Sequence, residues 1–130
     1  MMKNKLKNFS VCLLAVISLL SMNVLAASSS FNVSYQTYGG SGSVSGKDNG
    51  VYHRLDEGSA YLTVNSSSDG RAMGGLYLSS AFFDEYYGAV HTNVGTHMIS
   101  SYVEASSKYY LVFKGGKAMS TISISGSLHN

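Results

Sequence analysis

The sequence contains no proline, no tryptophan and a single cysteine, and only 12% of its 130 residues are charged. With Cys12 alone, neither an intrachain disulfide framework nor a cysteine-based structural zinc site is available. The sparse charge forms no concentrated basic stripe of the kind nucleic-acid modules carry, so no nucleic-acid partner is expected. Glu, Lys, Leu and Ala do not dominate, which argues against a coiled coil or a helical repeat. The length leaves room for one domain.

What is present begins with an address. Lys3, Lys5 and Lys7 open the chain with no acidic residue nearby. An apolar run follows from Phe9 to about Leu20, and Val24 and Ala26 then supply small residues at the spacing a signal peptidase accepts. This order predicts a secretory signal peptide over residues 1–26 and a single secreted β domain over 27–130. The apolar run falls short of the ~20 residues that span a bilayer comfortably, so no permanent membrane anchor is expected. Losing the three lysines takes the formal charge from +2 to −1, which makes the basic character a property of the leader. Cys12 departs with it, and Phe9-Ser10-Val11 lacks the pattern of a lipoprotein attachment site. The expected product is extracellular, cysteine-free and dependent on its own core.

Alternation dominates the remainder. Phe31, Val33 and Tyr35 face one way, with Asn32, Ser34 and Gln36 between them, which predicts a half-buried strand. Gly39 to Gly50 is rich in Gly, Ser and Asn, and Lys47-Asp48-Asn49-Gly50 reads as a turn. Ser59 to Asn65 is the clearest strand, and Ser66 to Gly70 supplies a turn after it. A strand is expected from Arg71 or Ala72 to Ser79, with Leu76 and Leu78 inward and a bulge or close approach at Gly74-Gly75. Ser80 to Gly95 reads as one helical turn or an irregular aromatic loop. Further strands are expected over Met98–Glu104, Tyr109–Lys114 and Met119–Leu128, with Gly115-Gly116 as a tight hairpin between the last two. Six or seven short strands predict an all-β fold, a small antiparallel sandwich or barrel.

Chemistry-bearing residues are scattered. His53, His91, His97 and His129 show no i, i+2 or i, i+4 pairing, so they read as solvated loop histidines and no metal or other cofactor is expected. The doublets Asp56-Glu57 and Asp84-Glu85 point to opposite faces of an extended chain, and Glu104 stands alone. No Gly-x-Ser-x-Gly elbow joins a strand to a helix. No catalytic residue is assigned, and the expectation is that the chain is not an enzyme. Tyrosine is the distinctive feature, ten in number, and it suits strands and contact surfaces alike. Of Tyr109-Tyr110, one ring should enter the core and the other lie on the sheet face. Phe82, Phe83, Tyr86 and Tyr87 form the candidate binding patch, because these rings fall in the segment read as a loop. Strands shorter than the ~9–11 residues of a membrane-spanning strand argue against an oligomeric pore.

Gly58-Ser59-Ala60-Tyr61-Leu62-Thr63-Val64, Thr92-Asn93-Val94-Gly95-Thr96, Ser101-Tyr102-Val103-Glu104 and Tyr109-Tyr110-Leu111-Val112 together resemble a loose group of small exported, cysteine-free β-rich proteins of Gram-positive bacteria, some of them bacteriocin-associated. The resemblance covers roughly Val51 to Leu128. It implies an exported accessory or bacteriocin-like protein and carries over no functional residue. The expected function is a secreted, non-enzymatic binding module whose partner is an extracellular protein or a cell-surface component. The alternatives are a bacteriocin-like or membrane-active antimicrobial protein and, third, a small secreted hydrolase.

Overall fold

The computed structural model describes residues 27–38, 45–47 and 51–130. The signal peptide expected over 1–26, with Cys12, lies outside the described residues, as do most of the Gly39–Gly50 stretch and its turn. The described residues form nine strands: β1 (Ser28–Gln36), β2 (Ser45–Lys47), β3 (His53–Leu55), β4 (Gly58–Ser67), β5 (Met73–Leu78), β6 (Glu85–His91), β7 (Gly95–Val103), β8 (Ser106–Lys114) and β9 (Thr121–His129). They build two antiparallel sheets packed face to face, not closed into a barrel. Sheet A runs β1-β9-β4-β7. Sheet B runs β8-β5-β6, with β2 and β3 sharing the free edge of β8 one after the other.

Period-two alternation decides which residues meet between the sheets. Phe31 and Val33 of β1, Leu62 and Val64 of β4, and Ile122, Ile124 and Leu128 of β9 face inward from sheet A. Leu76 of β5 and Tyr109, Leu111 and Phe113 of β8 meet them from sheet B. Phe31 and Phe113 lie across the interior with ring centroids 5.1 Å apart. The close approach expected at Gly74-Gly75 is found at Gly74, where a Cβ would stand 2.8 Å from the Phe113 ring. The shift in strand register falls further on, between Leu76 and Tyr77.

Four expectations need correction. The segment Ser80–Gly95 holds no helical turn, and Tyr86 and Tyr87 belong to β6 rather than to a loop. A bulge hides this strand: Tyr86 and Ala89 pair on the outer face of β5 with two residues between them, so the alternation breaks at Gly88. Gly115-Gly116 is not a hairpin, because β8 belongs to sheet B and β9 to sheet A. Both glycines have positive φ, 81° and 99°, and the chain uses them to cross between layers. The four histidines are not loop residues: His91, His97 and His129 stand in β6, β7 and β9, and His53 is fully buried in β3. Finally, β1, β4, β7, β8 and β9 reach nine or ten residues, so strand length gives no argument against spanning a membrane.

The strand register sorts the connections to two ends. One end carries Leu55–Gly58, Leu78–Glu85 and Val103–Ser106. There Asn130 ties the turn after β3: its Oδ1 accepts the Asp56 N–H at 2.6 Å and its Nδ2 donates to the Asp56 and Ser59 carbonyls. At the opposite end Asp69 accepts from the backbone N–H groups of Arg71 and Lys117, and from the Arg71 side chain. The Arg71 hydrogen bonds hold the Asp69 carboxyl well below the usual carboxylate range.

Candidate functional site

The outer face of sheet B is where tyrosines gather. Outward positions on β8 are Tyr110, Val112 and Lys114, and on β5 they are Met73, Gly75 and Tyr77. The register then sets Tyr110 beside Tyr77 and Tyr77 beside Tyr86, while Tyr52 leans on Tyr110 from the stretch before β3. The result is a row of four rings crossing the sheet. Tyr77 and Tyr110 stack at 5.5 Å and 17°. Tyr86 sits 5.3 Å from Tyr77 and is tilted by 54°, and Tyr52 meets Tyr110 edge-on at 6.4 Å. The inner rings support one another, and the outer rings Tyr86 and Tyr52 remain 61% and 56% exposed. Such pairing fixes each ring at little entropic cost when a partner arrives.

The connection from β5 to β6 is tied to this face through Asp84. Phe82 and Phe83 are 90% and 83% exposed, yet the backbone beneath them is pinned. The Ser80 hydroxyl donates to the Phe83 carbonyl, and the Ser80 N–H donates to Asp84 Oδ1 at 3.3 Å. The second Asp84 oxygen, Oδ2, accepts the Tyr110 hydroxyl at 2.5 Å, which links the loop to the ring row. Burial, followed by this bond to Asp84, pushes the Tyr110 phenol up to about 12. Two large apolar rings held out in water by an ordered turn are uncommon on a small domain.

Of the four residues expected to form one patch, Tyr86 stands on this face, Phe82 and Phe83 are exposed in the connection tied to it through Asp84, and Tyr87 is not on it. Tyr87 turns inward on β6 and packs edge-on against Tyr109 at 5.5 Å. Its hydroxyl lies 3.1 Å from Glu85 Oε2 and 3.2 Å from Glu104 Oε1, so two carboxylates distant in sequence converge on one phenol. Burial and these acidic neighbours raise the Tyr87 phenol well above its ordinary value. The expected split of Tyr109-Tyr110 is found: Tyr109 is buried with its hydroxyl on the Glu104 carbonyl at 2.5 Å, and Tyr110 faces outward. Tyr52, Tyr77 and Tyr110 carry no local signal of a site in the sequence, since only the pairing of β3 and β5 with β8 brings them together.

The other candidate groups stay apart. Buried His53 meets the Ser29 hydroxyl through Nδ1, joining an edge of each sheet. His97 hydrogen-bonds the Asn93 carbonyl at 2.7 Å, and His129 packs on Tyr61 with Nε2 2.8 Å from Thr63 Oγ1. Among the described residues no three His, Cys, Asp or Glu side chains converge as metal ligands, and no helix is long and apolar enough to cross a membrane. The outer face of sheet A is uncharged along β1 and β9, with Ser30, Asn32 and Ser125 around a flat depression near Asn65. Compared with family models, curated proteins and solved structures, the chain shows no significant match to any of them.

Proposed function

We propose that this domain is an extracellular, non-enzymatic binding module that engages a cell-surface component through the outer face of sheet B. The observation that carries this reading is the exposed Phe82-Phe83 pair on its hydrogen-bonded turn, continuous with the tyrosine row through the Asp84–Tyr110 bond. Exposed aromatic side chains on an ordered backbone supply contact area with little ordering left to do on binding. The basic, apolar and small-residue segments over residues 1–26 support export, and the resemblance to exported Gram-positive proteins points the same way.

The test is sedimentation of the purified domain with intact Gram-positive cells. Saturable binding that falls at least tenfold in the double variant Phe82→Ser, Phe83→Ser supports the module, a change of about 1.4 kcal/mol or more. Binding unchanged by that variant removes the patch from consideration. Dye release from phospholipid vesicles separates the membrane-active alternative: the binding module leaves vesicles sealed.

A further inference from the structure

The tyrosine row is one wall of a groove. Across the outer face of sheet B the register gives three parallel rows: Tyr110-Tyr77-Tyr86, then Val112-Gly75-Ala89, then Lys114-Met73-His91. The middle row is small because Gly75 and Ala89 carry almost no side chain, so it forms a floor between two taller walls. A cleft of about 220 Å³ occupies this position, lined by Gly75, Tyr77, Tyr86, Ala89, Val112 and Lys114. Gly75 keeps it open: a Cβ there would press within 3.1 Å of the Tyr77 ring. The Tyr77 ring leans over the Gly75 end of the floor, with Cε2 3.1 Å and Cζ 3.8 Å from that Cβ position, and it stacks on Tyr110.

The two walls differ in chemistry. One presents phenol rings and hydroxyls, with Tyr86 tilted and exposed at its end. The other presents the Lys114 ammonium, which forms no ion pair among the described residues, whereas Arg54 and Arg71 each hold a carboxylate. Among the described residues no acidic side chain lines the cleft. Aromatic ring faces complement the C–H faces of a pyranose, phenols complement its hydroxyls, and an unpaired cation at the mouth selects a carboxylate.

We propose that this groove binds an acidic saccharide, a pyranose unit bearing a carboxylate, with the ring against Tyr77 and Tyr86 and the carboxylate on Lys114. This assignment rests on the binding-module reading and names the chemical class its face recognises. An exposed ion pair contributes little by itself, so the rings supply most of the affinity and Lys114 supplies the preference for acid over neutral sugar. Lengthening the saccharide carries it along the row toward Tyr110 and Tyr52.

The experiment is a titration of the domain, followed by NMR, with oligogalacturonate, its methyl ester and a neutral cello-oligosaccharide. The expected result is saturable shifts of Tyr77, Tyr86 and Gly75 resonances, with oligogalacturonate bound about three- to fivefold more tightly than its ester. Lys114→Gln should erase that preference and leave ester binding unchanged, and Tyr86→Ala should weaken all binding about tenfold. Both positions are outward, and unchanged thermal unfolding verifies that the variants fold. Equal binding of acid and ester by the unaltered domain overturns the proposal, as does the absence of shifts with every saccharide. If that absence accompanies cell sedimentation still dependent on Phe82 and Phe83, the module stands and its ligand is not an acidic sugar.

Discussion

Asp69 and Lys117 join two crossings between the sheets: the Lys117 backbone N–H donates to Asp69 Oδ2 at 2.6 Å. Arg71 holds the same carboxylate through Nε and Nη2, each at 3.0 Å. The Asp69 side chain is only 11% exposed, so these bonds are poorly replaced by water. Replacing Asp69 by Asn should cost roughly 1–3 kcal/mol, read as a lower urea midpoint at neutral pH.

The same contact sets an acid limit. Because the folded-state value of Asp69 is depressed, its contribution is full above the unfolded carboxylate value near ~3.9 and is lost as pH falls below it. Urea midpoints measured from pH 5 to pH 3 should fall steeply in the unaltered domain and less steeply in Asp69→Asn. Parallel curves would assign acid sensitivity to other carboxylates.

Alkaline behaviour follows from two phenols. Tyr35 is raised to about 12 chiefly by burial, and its hydroxyl donates to the Gly115 carbonyl at 2.9 Å. Tyr110 is raised to about 12 by burial and then by Asp84. Both favour the neutral folded form, so their contribution is intact below pH ~10 and is lost as pH rises toward 12. Ultraviolet titration should show a late-ionising subset of tyrosines. Asp84→Asn should move one of them toward ordinary values; an unchanged titration would remove Asp84 from the account.

Gly126 tests the packing of sheet A. A Cβ there would lie 1.8 Å from the Thr63 carbonyl oxygen and 3.1 Å from the Phe31 ring, beside the shift in register where Asn65 is skipped. Gly126→Ala should destabilise the domain by about 3 kcal/mol or more, or prevent folding. A neutral result in chemical denaturation would mean that β4 and β9 separate locally at low cost.

Exposed Phe82 and Phe83 make the opposite prediction. Their replacement by Ser should shift stability by no more than about 0.5 kcal/mol, because neither ring is buried by the fold. A larger loss in thermal unfolding would make them structural and would weaken their use as a binding probe.

Legibility in the sequence followed the strength of local pattern. Ile122, Ile124, Gly126 and Leu128 alternate without interruption, and β9 lies where that alternation places it. β6 was obscured because the bulge near Gly88 puts Tyr86 and Ala89 on one face three positions apart. Gly115-Gly116 suits a hairpin and a layer crossing equally, and only the packing of β9 between β1 and β4 decides which. Phe82, Phe83 and Tyr86 could be named from one short stretch. The row they adjoin could not, since Tyr52, Tyr77 and Tyr110 meet through pairings between distant strands.

The pairing of β1 with β9 matters for how the sandwich assembles. Ser28 lies opposite His129 and Gln36 opposite Thr121, so the first described strand waits for the last one before it gains its hydrogen bonds. Until then Phe31 and Val33 have no sheet to belong to, and β4 lacks its central neighbour. β4 can pair with β7 earlier, but loop closure over nearly the whole domain precedes the β1–β9 ladder, a topology that folds slowly. A chain that lacks β9 therefore cannot join β1 to β4 or close the core over Phe31 and Val33.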